Sequence, residues 1–192
     1  MKSFFRKIRH KIIARKLEIP ANASVLDTSC QDGGFLDILA KNNNNKNLKV
    51  CGVDISKGDI EKAKSLIPKG SFEITDNVSL PFPNKTFDVV ISSLTLHHMA
   101  NPEISIKEMR RVLKDNGVIY LVDVIAKNKL SNFFLKHIKC PEPYHFEKFY
   151  SVSEVENLLV KMELKISNRL DIFAFPTFTI FTPISILELR KK

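Results

Sequence analysis

Val25-Leu26-Asp27-Thr28-Ser29-Cys30-Gln31-Asp32-Gly33-Gly34-Phe35 reads as a buried strand that runs into a tight turn and leaves it as a helix. Val25 and Leu26 are apolar and turn residues follow at once, while Gly33 and Gly34 admit positive φ or a close backbone approach. Phe35, Leu36, Ile38 and Leu39 then form an apolar helical stripe. A strand feeding a glycine turn at a helix N-terminus offers free backbone N–H groups to a ligand. The same turn is also the ordinary connection of any α/β protein, and both readings stand at this point.

Outward from the turn the chain alternates. Strands are expected near 24–28, 48–53, 71–75, 87–93 and 118–125, with helices near 34–42, 57–66 and 102–113. Asn42 to Asn45 is a surface turn, Leu80 to Lys85 a proline-stiffened loop, Leu94 to Met99 a loop with two histidines, and Lys114-Asp115-Asn116-Gly117 a helix-to-strand turn. Pro102 suits a first helical position. This alternation predicts an α/β fold with a parallel, doubly wound sheet, whose ligands bind beyond the strand C-termini at the topological switch. Asp32-Gly33, Asp54, Asp76 and Ser93 all follow strand ends, which gathers them on one rim. Asp54 stands one βα unit after the glycine turn, where a carboxylate accepts hydrogen bonds from two ribose hydroxyls of an adenosine. The competing reading is that Asp54 or Ser56 caps the next helix.

The last third differs. A short helix is expected near 130–138 and a loop at 140–145. Ser151-Val152-Ser153-Glu154 has capping-box spacing and starts a helix to about Met162. Residues 164–187 read as a C-terminal hairpin interrupted by Pro176 and Pro183, too short and too broken for a membrane span.

The 192 residues suit a single domain, 1–192, and 44% hydrophobic residues suffice for a core. Three cysteines, Cys30, Cys51 and Cys140, show no metal-like spacing and point to reduced thiols in a cytoplasmic protein. No secretory signal is recognisable. Residues 1–20 carry seven Lys or Arg against Glu18, and Arg190, Lys191 and Lys192 close the chain, whereas 21–189 hold 20 basic and 20 acidic residues. The basicity belongs to the ends, which argues against a broad nucleic-acid face. Residues 3–17 look helical, with Phe4, Phe5, Ile8 and Ile12 on one side. This basic N-terminal helix (1–20) packs on the domain, forms a lid over the ligand site, or contacts RNA or an anionic membrane surface as a peripheral arm.

The order and spacing of VLDTSCQDGGF (25–35), VCGVDIS (50–56), ITDNVSLPFPNKTFDVVISSLTLHHM (74–99) and EMRRVLKDNGVIYLVD (108–123) resemble a class I S-adenosylmethionine-dependent methyltransferase. The branch is the one that holds the ubiquinone and menaquinone methyltransferases (type 11). The resemblance covers about 22–126 well and 145–170 loosely, and RVLK-x-x-G is its most characteristic part. It implies a Rossmann-like, doubly wound seven-stranded sheet, mostly parallel with an antiparallel last strand. It implies S-adenosyl-L-methionine over the first turn, with Asp27, Ser29, Asp32 and Gly33 at the methionine part. Asp54 would take the ribose, Ile55 the adenine face, Asp76 and Asn77 the adenine edge, and Ser93 the methyl-donor pocket. One position departs: the family usually has a small residue where Gln31 stands. Positive φ there costs glutamine about 1–2 kcal/mol and weakens binding, unless its side chain turns outward.

Methyl transfer needs an acceptor atom in line with the sulfonium methyl, and an oxygen or nitrogen acceptor also calls for a general base. His97 and His98 are the nearest candidates, with Tyr144 and His145 further along. Cys30 has no evident activating base and no metal-ligating set is expected. Residues 127–150, with Phe133, Phe134, Phe146 and Phe149, read as a cap over the acceptor. The leading reading is methyl transfer to a small-molecule or lipid-like acceptor. The alternatives are a non-catalytic, partner-activating subunit whose cofactor turn is damaged at Gln31, and an RNA methyltransferase that uses the basic arm.

Overall fold

A computed structural model of the chain describes residues 2–42, 47–126, 148–172 and 184–192. Its elements are α1 (Lys2–Ala14), β1 (Ser24–Asp27), α2 (Gly34–Asn42), β2 (Lys49–Asp54), α3 (Lys57–Leu66), β3 (Ser71–Ile74) and β4 (Phe87–Ser93). A 3-10 turn (Leu96–His98), α4 (Pro102–Val112), β5 (Leu113–Ala126) and β6 (Tyr150–Ser151) follow. α5 (Val152–Lys161), β7 (Leu164–Ile172) and β8 (Ile184–Lys191) complete the set.

The sheet runs β3-β2-β1-β4-β5-β8-β7, and the two-residue β6 pairs with the end of β5. β1 is parallel to both β2 and β4, and β8 is antiparallel to both β5 and β7. The fold is therefore the mostly parallel, doubly wound sheet with an antiparallel last strand that the alternation and the resemblance predict. Strand side chains alternate between two cores. Val25, Val89, Ile91 and Tyr120 join Ile13, Leu36, Leu39 and Ile60 of α1, α2 and α3 on one face. Leu26, Val90, Ile119 and Leu121 join Ile106, Met109, Val155 and Leu159 of α4 and α5 on the other. The strand order reverses between β1 and β4, so the switch-point crevice opens beside the turn that follows β1.

Three boundaries differ from the sequence reading. α1 ends at Ala14 rather than near 17, because the chain turns there to bury Leu17 and Ile19. The Tyr120 hydroxyl fixes that exit by accepting from the Glu18 N–H at 3.1 Å and donating to the Glu18 carbonyl at 3.0 Å. The expected turn at Lys114–Gly117 lies inside β5 as an irregularity, with Leu113 opposite Phe87 and Val118 opposite Val89. β6 has no counterpart in the sequence reading, since two residues carry no periodicity. The Ser151 capping box is present, with the Glu154 N–H on Ser151 Oγ at 3.3 Å and the Ser151 N–H on Glu154 at 2.8 Å. The helix expected near 130–138, Tyr144, His145, most of the cap at 127–150 and the tip of the hairpin lie outside the described residues.

Candidate functional site

The turn after β1 is stitched to its neighbours by its own backbone. The Thr28 N–H bonds the Ile91 carbonyl at 2.9 Å, the Cys30 N–H the Val53 carbonyl at 3.0 Å, and the Gly33 N–H the Cys30 carbonyl at 2.9 Å. Gly33 has φ +75°, and a Cβ there would lie 3.0 Å from Ala63 Cβ, so α3 already accounts for this glycine. Gln31 has φ +47°. Its N–H donates to Asp54 Oδ2 at 2.9 Å, and its side chain turns outward to accept from Arg6 at 3.2 Å. Asp32 Oδ1 accepts from the Gly34 N–H at 3.2 Å, and Oδ2 is ion-paired with Arg6.

A cleft of about 650 Å³ opens against this turn, well within the range of small-molecule sites. Ser29, Gln31, Asp54, Ile55, Asp76 and Asn77 form one wall. Arg6 stands at one end, and Leu94, Thr95 and His98 face it from the loop after β4. Asp54 Oδ1 takes the Ser56 N–H at 3.0 Å, and Ser56 Oγ caps α3 by accepting from the Asp59 N–H at 3.3 Å. Of the two helix-cap candidates Ser56 is the cap, and Asp54 lines the cleft with one backbone N–H on each carboxylate oxygen. Ile55 is 71% exposed. Asn77, at φ +67°, donates to Ser29 Oγ at 3.3 Å while its own Oδ1 is buried without a partner. Leu94 also holds positive φ, +55°, so three non-glycine residues of the cleft wall carry left-handed backbone. Such strain collects where surrounding structure enforces a binding geometry.

Electrostatics set the ends apart. Asp27 is buried beneath the turn, and its carboxyl is pushed up to about 7, chiefly by burial and secondarily by the Asp54 charge, against the Ser29 N–H that it accepts. Burial works against the Asp32 charge too, yet the Arg6 and Gly34 hydrogen bonds hold its carboxyl below the usual range. Burial, reinforced by Asp27 and Asp54, drives the Cys30 thiol well above its ordinary value, which disfavours the thiolate. On α1, His10 packs edge-on to Phe35 at 5.3 Å, and burial with Arg9 and Arg6 lowers it to about 4.

The two histidines of the 3-10 turn separate in role. His97 is buried: its Nδ1 lies 2.7 Å from Asp123 Oδ1, its N–H donates to Asp123 Oδ2 at 3.3 Å, and its ring stacks on Phe149. The His97 carbonyl accepts the Lys148 N–H at 2.9 Å. His98 lies against the His97 ring, centroids 3.9 Å apart, and reaches the cleft wall. A second groove of about 560 Å³, lined by Pro102, Ile104, Tyr150 and Leu158 among others, shares Ala100 and Asn101 with the cleft.

Of the expected site residues, Ser29, Asp54, Ile55, Asp76, Asn77 and His98 line the cleft, whereas Asp27, Asp32, Gly33, Ser93 and His97 stand behind its wall. Sequence reasoning missed Arg6 and Asp123. Asp123 sits near the C-terminal end of a parallel strand, the signal that singled out Asp54. Arg6 carried no local signal. No group of three or more His, Cys, Asp or Glu able to hold a metal occurs among the described residues. No helix among them is long and apolar enough to cross a membrane.

A family model described as a methyltransferase domain matches residues 26–121. The 2-methyl-6-phytyl-1,4-hydroquinone methyltransferase of Synechocystis sp. is 34% identical over 108 residues, which is 55% of this chain and 33% of that protein. The sterol 4-C-methyltransferase strm-1 of Caenorhabditis elegans is 28% identical over 175 residues, 85% of this chain and 51% of that protein. The match thus spans a third to a half of these relatives' length. Among solved structures, a SAM-dependent methyltransferase of Methanosarcina mazei superposes with a TM-score of 0.73 at 21% identity, covering 94% of this chain and 96% of its own.

Proposed function

The chain belongs to the methyltransferase-domain family, and from that premise we propose that it transfers the methyl group of S-adenosylmethionine to a small, largely apolar acceptor of the quinol or sterol kind. The observation that carries the reading is the cleft on the turn after β1, with Asp54 facing it. The residues fit the cofactor. Asp54 retains free acceptor capacity for a ribose diol, exposed Ile55 offers an apolar plate for a purine, and the orphaned Asn77 Oδ1 wants a donor such as an exocyclic amine. Asp54, Asp59 and Asp76 give the cleft a negative wall suited to a cation.

The cofactor, when bound, supplies an electrophilic methyl on a sulfonium, so the protein's own work is positioning and proton handling. His98 on the cleft wall is the base that takes the acceptor's proton. His97, clamped by Asp123 and stacked on Phe149, fixes the ring beside it. The groove that shares Ala100 and Asn101 with the cleft receives the acceptor, whose apolar part would lie on Pro102, Ile104, Tyr150 and Leu158 between the charged Glu103, Lys148, Glu154 and Lys161. The test is incubation with methyl-labelled S-adenosylmethionine and a panel of prenylated hydroquinones, sterols and RNA. Label in a quinol or sterol is expected. Label in RNA alone, or no binding of S-adenosylhomocysteine at millimolar concentration, overturns the reading.

A further inference from the structure

We infer that Arg6 of α1 is the receptor for the amino-acid carboxylate of the bound nucleoside, and that Asp32 and Gln31 hold its guanidinium in place until the ligand arrives. The inference rests on the proposed use of S-adenosylmethionine. That ligand carries two positive groups and one carboxylate at the end that would lie on the β1 turn. The cleft is built for the positive groups: Asp54, Asp59 and Asp76 line it, and Asp32 and Asp27 stand immediately behind. The carboxylate needs a cation, and among the described residues Arg6 is the only Lys or Arg on the cleft wall.

The geometry suits an exchange of partners. Nη2 of Arg6 meets Asp32 Oδ2 and Nη1 donates to Gln31 Oε1 at 3.2 Å, so both ends of the fork already lie along the turn. A carboxylate fits such a fork with two parallel hydrogen bonds. Asp32 is not orphaned by the exchange, since Oδ1 keeps the Gly34 N–H. The Arg6 side chain is 36% exposed, so a ligand reaches it without opening the core. Arg6 belongs to α1, whose far end is anchored by buried Ile13 and by the Tyr120–Glu18 bonds. Arg6 thus ties α1 to the turn before the ligand arrives and to the ligand carboxylate afterwards, so the helix packs on the domain and borders the site.

The experiment compares two nucleosides by calorimetry. S-adenosylhomocysteine has the carboxylate, and 5′-methylthioadenosine lacks the amino-acid part. In Arg6→Ala, affinity for S-adenosylhomocysteine is expected to fall roughly ten- to a hundredfold, with 5′-methylthioadenosine within about twofold of wild type. Arg6→Lys, which keeps the charge but not the fork, is expected to fall between. The unchanged 5′-methylthioadenosine affinity also reports that the variant is folded. Equal losses for both nucleosides, or no loss for S-adenosylhomocysteine, overturn the assignment. Wild-type protein that binds 5′-methylthioadenosine but not S-adenosylhomocysteine also overturns it. Wild-type protein that binds neither overturns the proposed function and this assignment together.

Discussion

Gln31 is the position where the chain departs from the small residue usual in the family it resembles, and its geometry moves the cost. The side chain sits at φ +47° in the ligand-free fold, so the left-handed penalty of about 1–2 kcal/mol is met on folding and not on binding. Gln31→Gly is therefore expected to raise stability by up to about 1 kcal/mol, while S-adenosylhomocysteine affinity falls by no more than about threefold, since Arg6 loses its bond to Gln31 but keeps Asp32. Denaturant melts and calorimetry check the two halves, and a tenfold gain in affinity would show that the side chain obstructs the cleft. Asp27 and His10 have opposite pH signatures. The Asp27 carboxyl is raised to about 7, so its contribution is full below about 4 and lost as pH rises through 7. His10 is lowered to about 4, so its contribution is full above about 6.5 and lost as pH falls towards 4. Relative to wild type, Asp27→Asn should gain a few kcal/mol between pH 4 and 8, and His10→Gln should gain between pH 7 and 4. Denaturation series across that range read both slopes.

At the scale of elements, the most family-like stretch proves to be scaffolding. In Arg111-Val112-Leu113-Lys114-Asp115-Asn116-Gly117, the Arg111 guanidinium holds the Leu80 and Phe82 carbonyls, Asn84 Oδ1 and the Glu108 carboxylate. Val112 and Leu113 are fully buried and Lys114 pairs with Asp88. Gly117 lies where a Cβ would come 2.9 Å from the Asp88 carbonyl. The motif locks the proline loop and the β4–β5 register from below, and touches no part of the cleft. Strands, helices and rim aspartates were legible because each is announced within a few residues by periodicity, a glycine or a strand end. The His97–Asp123 pair was not, because it joins residues 26 apart through a strand register no local pattern encodes. Arg6 was hidden for the same reason, 26 residues from Asp32. Breaking the buried pair with Asp123→Ala removes the acceptors of His97 Nδ1 and of the His97 N–H, and is expected to cost about 2–4 kcal/mol. Thermal denaturation reads that cost, and methyl-transfer rates should fall with it as His98 loses its support.

On the scale of the molecule, charge and topology divide the labour. The body of the chain is balanced, and the surplus positive charge gathers at the two ends. One end is α1 with the turn after it, which brings Arg6 to the cleft and leaves Lys7, Lys11, Arg15 and Lys16 exposed. Because the cleft joins α1, β1, β2 and the loop after β4, a bound nucleoside couples both halves of the sheet. S-adenosylhomocysteine at a hundredfold its dissociation constant should stabilise the fold by about 2.7 kcal/mol, a rise of roughly 5–10 °C in Tm readable by scanning fluorimetry with an extrinsic dye, since the chain has no tryptophan.

The position of β8 bears on how the protein is made. It follows β7 in sequence, yet it lies between β5 and β7 and bonds both. During synthesis the nucleotide half of the sheet leaves the ribosome first, with the edge of β5 open. If β7 docked there first, it would occupy the slot that β8 must fill. β7 therefore reaches its native place only together with β8 or after it, and until then the β5 edge is an open strand edge of the kind that invites wrong pairing.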